Sequence, residues 1–269
     1  INYDEVRRLA KTHKPKVIIS GFTAYPRKVD FKKFGAIAKE VGAYHVADIS
    51  HIAGLVVGSV HPSPFPYADV VMTTTHKSLR GPRGAMIFVN KSSSVAKTYG
   101  VDLPLAVDKT IFPGLQGGPH DHTTAAKAQA FYEAMQAPFR VYTKQIVKNS
   151  KALANALIKN GFDLVSGGTD THLILMDIRS FGMDGIEAEK RLEKAGIIAN
   201  RNSIPGDQSP FKPSGIRLGT PNVTTRGMKE KEMIIVASLI GRALMNEKGL
   251  DKIVATLCKK FPAEKFLGK

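Results

Sequence analysis

Four short apolar runs, residues 16–20, 44–48, 69–74 and 85–89, recur through the first part of the chain, and helix-periodic segments precede the first two. Helix and strand alternating in this way build an α/β fold around a parallel sheet, because each crossover covers the strands that it links. Asn2 followed by Glu5 predicts a capped helix that runs to about His13 and stops before Pro15. Asp30 predicts a second helix, with Phe31, Phe34, Ile37, Ala38 and Val41 on one face and Gly42 at its end. The expectation is a doubly wound, parallel type of sheet whose ligands lie beyond the carboxyl ends of the strands, where Asp48 and Lys77 fall.

The rhythm then changes. Pro119 opens a long alanine-rich helix, and Pro138 divides it from a second long helix over about 139–160. Strands over 162–165 and 172–178 mix with helices over 184–195 and 226–246, which reads as α+β. Two domains are expected, 1–137 and 138–269.

The 269 residues, 43% hydrophobic, suffice for a large core and exclude disordered, collagenous and disulfide-scaffold classes. The formal charge of +16 is spread in pairs such as Arg7–Arg8, Lys32–Lys33 and Lys259–Lys260, so a solvated basic surface is expected rather than a nucleic-acid patch. The single cysteine, Cys258, suits a reducing, cytoplasmic compartment. The apolar run 233–241 is shorter than the ~20 residues that a membrane span needs. His120 and His122 splay apart at their spacing, and no metal site is expected.

Residues 73–78 are the most informative. A lysine at a strand-to-loop junction, preceded by apolar sheet residues, can have its ammonium partly desolvated, which a Schiff-base lysine needs; a surface lysine is the alternative for Lys77. Asp48 can either cap the segment that starts at Ser50 or hold a pyridine nitrogen protonated. His51 and His76 can stack on a planar ring or serve as structural hydrogen bonders. The run 113–119, opening a helix, can turn backbone N–H groups towards a phosphate, and a tight turn with positive φ explains its glycines equally well. Arg217, in a strand flanked by Gly and Pro, can grip a carboxylate with its guanidinium fork or make a structural ion pair.

Together these segments resemble the serine hydroxymethyltransferase family. The matching stretches are residues 15–25, 47–55, 73–84, 112–119, 165–173 and 202–221, and the string 73–84, Thr-Thr-Thr-His-Lys-Ser-Leu-Arg-Gly-Pro-Arg-Gly, is highly specific. The resemblance implies a pyridoxal-phosphate-dependent fold of type I, here as the latter part of a large domain plus a smaller C-terminal α+β domain. It implies that Lys77 is the Schiff-base lysine of pyridoxal 5'-phosphate and that Asp48 pairs with the pyridinium nitrogen. It further implies that His51 stacks over the ring and that Thr23, Ser50, Thr74 and His76 line the cofactor. Gly117 and Gly118 match a loop that reaches a neighbouring subunit's cofactor phosphate, so a homodimer or higher homo-oligomer is implied. Arg217 matches the group that binds the carboxylate of serine or glycine, and Asn202, Ser209, Pro210 and Phe211 match a tetrahydrofolate-contacting segment.

Ile1 aligns well inside the family pattern, so a first portion of about one domain is expected to lie outside this chain. In the family that portion carries the proton-handling glutamate, tyrosines at the substrate, part of the phosphate cup and further folate contacts. The chain alone is therefore expected to be inactive. The rival readings are a pyridoxal-phosphate aldolase that acts without folate and a basic RNA-binding protein without turnover.

Overall fold

A computed structural model describes residues 1–263; residues 264–269, the end of the expected second domain, lie outside the described residues. The chain forms two compact units, one of residues Ile1–Thr23 and Val29–Arg140, the other of Ala24–Lys28 and Val141 onward.

In the first unit, α1 (Tyr3–His13) starts at Asn2, whose side chain accepts from the Glu5 amide at 3.1 Å. The reciprocal half of the capping box is not formed, because the Glu5 carboxylate is taken by Arg8 at 2.6 Å. Strand β1 (Val17–Ser20) follows. Helix α2 (Phe31–Glu40) is capped by Asp30, which accepts from the Lys33 amide, and it buries Phe31, Phe34, Ile37 and Ala38 as its periodicity predicts. Then come β2 (Tyr44–Asp48), the short α3 (Ala53–Val57), β3 (Val70–Thr74) and β4 (Ala85–Val89). Two short helices, α4 (Ser94–Thr98) and α5 (Leu103–Lys109), precede α6 (Asp121–Met135).

The four strands lie in the order β1-β2-β3-β4, the first three parallel and β4 antiparallel to β3. The all-parallel expectation is thus corrected to a mixed sheet. The turn between Thr74 and Ala85 is too short for the crossover of a dozen or more residues that a parallel return requires. The strand order also runs one way, so the described strands contain no reversal of the doubly wound kind.

Helix α7 (Ala137–Lys159) begins in the first unit and continues into the second, where it leads to β5 (Asp163–Leu164), β6 (Leu173–Asp177), α8 (Gly185–Lys194), β7 (Asn200–Asn202) and β8 (Gly215–Gly219). The chain continues through α9 (Pro221–Thr225), α10 (Glu230–Leu244) and α11 (Leu250–Lys260). The strands order as β5-β6-β8-β7, every pair antiparallel. Leu157, Ile174, Met176, Leu192, Ile216, Met233 and Ile240 are buried between this sheet and its helices. The helix expected over 226–246 is present as α10 but begins later than expected: Arg226 caps the preceding α9 and Gly227 takes φ +91, so the helix starts at Glu230.

Two polar ties order this unit. The buried Asn149 amide donates to Thr224 Oγ1 and to the Met228 carbonyl, both at 2.9 Å, which locks α7 to the α9–α10 turn. The Pro26 carbonyl accepts from the Asp170 amide at 2.9 Å and from the Thr169 and Thr171 hydroxyls at 3.1 and 3.2 Å, which is why Ala24–Lys28 belongs here.

His45 is the buried titratable group of the first sheet. Its Nδ1 donates to the Tyr67 carbonyl at 3.0 Å and its Nε2 accepts from Ser20 Oγ at 2.7 Å, while Phe34 stacks on the ring. Burial holds its pKa below the ordinary 6.5, against the upward pull of the Tyr67 carbonyl and the Asp69 carboxylate. As the pH falls, the unfolded chain takes up this proton first. The stabilising contribution is therefore complete above about pH 6.5 and is lost as the pH drops from there through the lower folded value. Thermal melts from pH 8 to pH 5 should show a downward slope in Tm below about pH 6.5 that is shallower in His45→Gln.

Candidate active site

The carboxyl ends of β2 and β3 converge on a polar cluster. One carboxylate oxygen of Asp48, Oδ1, accepts from the Ser50 amide at 2.9 Å and from the Ser50 hydroxyl at 2.5 Å. The Ser50 oxygen in turn accepts from the Thr74 amide at 3.0 Å, so one hydroxyl fixes both strand ends. The other Asp48 oxygen, Oδ2, has no hydrogen-bond partner among the described residues. The capping role and a ligand-facing role are thus compatible, one oxygen for each. Asp48 reaches this position because Gly21 leaves room for it: a Cβ at Gly21 would lie 2.6 Å from the Asp48 carbonyl oxygen and 2.7 Å from its Cβ.

Lys77 sits in the turn that follows β3. Gly81 donates to the Thr75 carbonyl, the Thr75 amide to the Gly84 carbonyl, and Thr75 Oγ1 to the Pro82 carbonyl at 2.6 Å. Behind the lysine, Ser78 Oγ accepts from the Gly54 amide at 2.9 Å, and a Cβ on Gly54 would come within 2.5 Å of the Ser78 carbonyl oxygen. The turn is therefore anchored on both sides of Lys77. Lys77 is exposed, so the partial desolvation expected from its apolar flanks is not found among the described residues.

His76 faces a cavity of about 780 Å³ that Arg83, Gly117, Gly118, His120 and Lys127 also line. Its Nε2 lies 3.5 Å from the Arg83 guanidinium. Gly117 and Gly118 are exposed, and a Cβ on either would meet nothing within 4 Å. Neither has positive φ, nor has Gly114, so a left-handed turn does not account for these glycines. His51, half-buried, lies just ahead of α3, and Thr23 is exposed beyond β1.

The remaining expected residues belong to the second unit. Arg217, in the middle of β8, is half-buried and donates to the Asn200 side-chain oxygen at 3.4 Å across the β7–β8 pairing. Asn202 ends β7 and donates to the Ser203 carbonyl at 2.6 Å. Ser209 turns the chain by accepting from the Phe211 amide at 3.2 Å, while Pro210 and Phe211 stand exposed.

Thr74 Oγ1 and His76 Nδ1 are buried polar atoms without hydrogen-bond partners among the described residues. Buried polar atoms are normally satisfied, so these two, on the residue whose amide binds Ser50 and on the residue next to Lys77, can, like Ser150 Oγ in the second unit, still take a polar partner. Together with the Asp48 carboxylate and the Lys77 amine, these two atoms fit pyridoxal phosphate. No group of three or more His, Cys, Asp or Glu among the described residues is arranged to hold a metal ion, and no described helix is long and apolar enough to cross a membrane.

The sequence model of the serine hydroxymethyltransferase family matches residues 1–240. The chain belongs to this family. The match runs through both units and into α10. Serine hydroxymethyltransferases are pyridoxal-phosphate-dependent transferases of serine and glycine one-carbon metabolism, and the α/β unit with a mixed sheet is the setting of Asp48 and Lys77 here. Sequence reasoning missed three contributors to this geometry: Gly21 behind Asp48, the Gly54–Ser78 contact behind Lys77, and Asn200 on Arg217. The glycines that close β1 and open α3 were the available signal.

Asp207 was also missed. Burial acts upward on its carboxyl, but the Ile204 and Ser214 amides and Arg179 outweigh it and hold the pKa below the usual carboxylate range.

Gly21→Ala should displace Asp48, since the clashing atoms are backbone and Cβ rather than the end of a flexible side chain. A loss of about 1–3 kcal/mol is expected, read as a lower midpoint of urea unfolding.

Proposed function

We propose that this protein transfers the hydroxymethyl carbon of serine to tetrahydrofolate, leaving glycine and 5,10-methylenetetrahydrofolate, with pyridoxal 5'-phosphate as its cofactor in a fold of type I. The observation that carries the proposal is the meeting of the Asp48–Ser50–Thr74 cluster with the anchored Lys77 turn at the strand ends. Family membership over residues 1–240 supports it.

Each residue has a role in this reading. Lys77 holds the cofactor covalently through its primary amine, a chemistry open to no other side chain in the cluster. Asp48 Oδ2 holds a proton at the pyridine nitrogen, while Oδ1 stays committed to Ser50. Thr74 and His76 bring their unpartnered buried atoms to the same ligand, with Thr23, Ser50 and His51 around it. When bound, pyridoxal phosphate supplies an electron sink for the pair released as the Cα–Cβ bond of serine breaks.

Arg217, carried on β8, grips the amino-acid carboxylate with two parallel hydrogen bonds. Asn202, Ser209, Pro210 and Phe211 contact the folate. Gly117 and Gly118, exposed and free of steric neighbours, face the cofactor phosphate of a second copy, which makes the working form a homodimer or larger homo-oligomer. In this reading residues up to about 137 belong to the cofactor domain and those from 138 to a smaller one, and the lone Cys258 supports a cytoplasmic setting.

Glycine formation from serine by the complete polypeptide, assayed with and without tetrahydrofolate, tests the reading. Folate-independent cleavage would instead indicate an aldolase. Borohydride reduction of the pyridoxal-phosphate complex should leave a pyridoxyl group on Lys77, located by peptide mass spectrometry, and Lys77→Ala should abolish it with little change in thermal melting. An adduct found only on another lysine would remove Lys77 from its role. Arg217→Lys should weaken serine binding by about tenfold or more while leaving cofactor binding nearly unchanged, because a point-charge ammonium cannot reproduce the planar fork. Titrating serine against the cofactor's visible absorbance checks this.

A further inference from the structure

The loop between β7 and β8 carries residues that the folate reading uses, and although exposed it is closed on itself. A single carboxylate oxygen closes it. Asp207 Oδ2 accepts from the Ile204 amide and from the Ser214 amide, both at 2.9 Å, and so ties the start of the loop to its end. Behind this staple, Ile204 is buried with Leu173 and Leu175, and the Pro213 carbonyl accepts from the Gly185 amide at 2.7 Å. Gly206 turns with φ +96 beneath Arg179, whose guanidinium is itself held by both oxygens of Asp177. Only the tip remains outside: Ser209 accepts from the Phe211 and Lys212 amides, and Phe211 is 86% exposed.

An aromatic ring held out on a closed, anchored turn has an unusual combination of properties. Its large apolar surface is exposed, which is unfavourable in isolation, while its backbone is ordered before any ligand arrives. Pre-ordering lowers the entropic cost of binding, and a flat ring face suits the planar pyrimidine half of a reduced pterin. We infer that Asp207 is a positioning residue that holds Phe211 ready for the pterin ring of tetrahydrofolate, an inference that rests on the folate-dependent transfer proposed above. Asp207 makes no contact with substrate in this scheme. It acts through the loop.

The test compares Asp207→Ala, Asp207→Asn and Phe211→Ala in the complete holoenzyme. Asp207→Ala should raise the KM for tetrahydrofolate, and the Kd of the stable reduced folate 5-formyltetrahydrofolate, by about tenfold or more, while the serine Kd read from the cofactor's spectrum changes less than about twofold. Asp207→Asn keeps an acceptor oxygen and should fall between Asp207→Ala and wild type, which preserves the test if the alanine variant does not fold. Phe211→Ala should show the same split between folate and serine. Hydrogen exchange at the Ile204 and Ser214 amides should quicken in Asp207→Ala and stay unchanged in Phe211→Ala. Unaltered folate affinity in Asp207→Ala, or equal weakening of folate and serine, would overturn the inference and leave the folate reading standing. A wild-type holoenzyme that binds no reduced folate would overturn that reading, and the inference with it.

Discussion

The Ser50 hydroxyl donates to Asp48 at 2.5 Å and accepts from the Thr74 amide at 3.0 Å, and the polar end of the first sheet depends on this bridge. Hydrogen bonds to a carboxylate are stronger than neutral ones, and a bridge between two strand ends fixes both at once. With Oδ1 engaged twice, the carboxylate cannot rotate freely, and its second oxygen takes a defined direction. Gly21 supports the bridge from behind by leaving no Cβ in its way. The proposed chemistry therefore rests on Gly21, the Asp48–Ser50 pair and Thr74, from three different stretches of sequence.

The antiparallel return of β4 serves the same end. Because the chain turns back at once after β3, Thr75 and Gly84 face each other and close the turn through their backbones. Lys77 is thereby carried on a short anchored segment rather than a long loop, and Gly54 with Ser78 fixes the far side. A parallel continuation would have required a crossover and left the lysine without this clamp.

The second unit solves a different problem with the same means. Its apolar core, around Ile174, Met176 and Ile216, has no directionality of its own, and the buried Asn149 amide and the Pro26 carbonyl provide the register for α7 and for Ala24–Lys28. Neither could be left unpaired in such a core without a large penalty, so the arrangement is selective as well as stabilising.

The local elements were legible in the sequence: the apolar runs that became β1 to β4, the caps at Asn2 and Asp30, and the Pro138 break, each expressing a preference of a few neighbouring residues. The string around Lys77 and the Asp48–His51 segment pointed to the candidate site through their resemblance to the family, whereas a lysine and an aspartate at strand ends are by spacing alone a weak signal. Legible in part was the capping of Ser50 by Asp48. Not legible were the direction of β4, the closeness of Gly21 to Asp48, the transfer of Ala24–Lys28 to the second unit, the exposure of Lys77 and the Asp207 staple. All of these depend on which distant segments meet. The sequence by itself determined the strands, the caps and the kinds of reactive group, since these follow from short-range sterics and hydrogen bonding. Only the tertiary structure decided which oxygen of Asp48 stays open and which amides Asp207 closes, because those outcomes depend on contacts of a few ångströms between parts of the chain that carry no sequence record of each other.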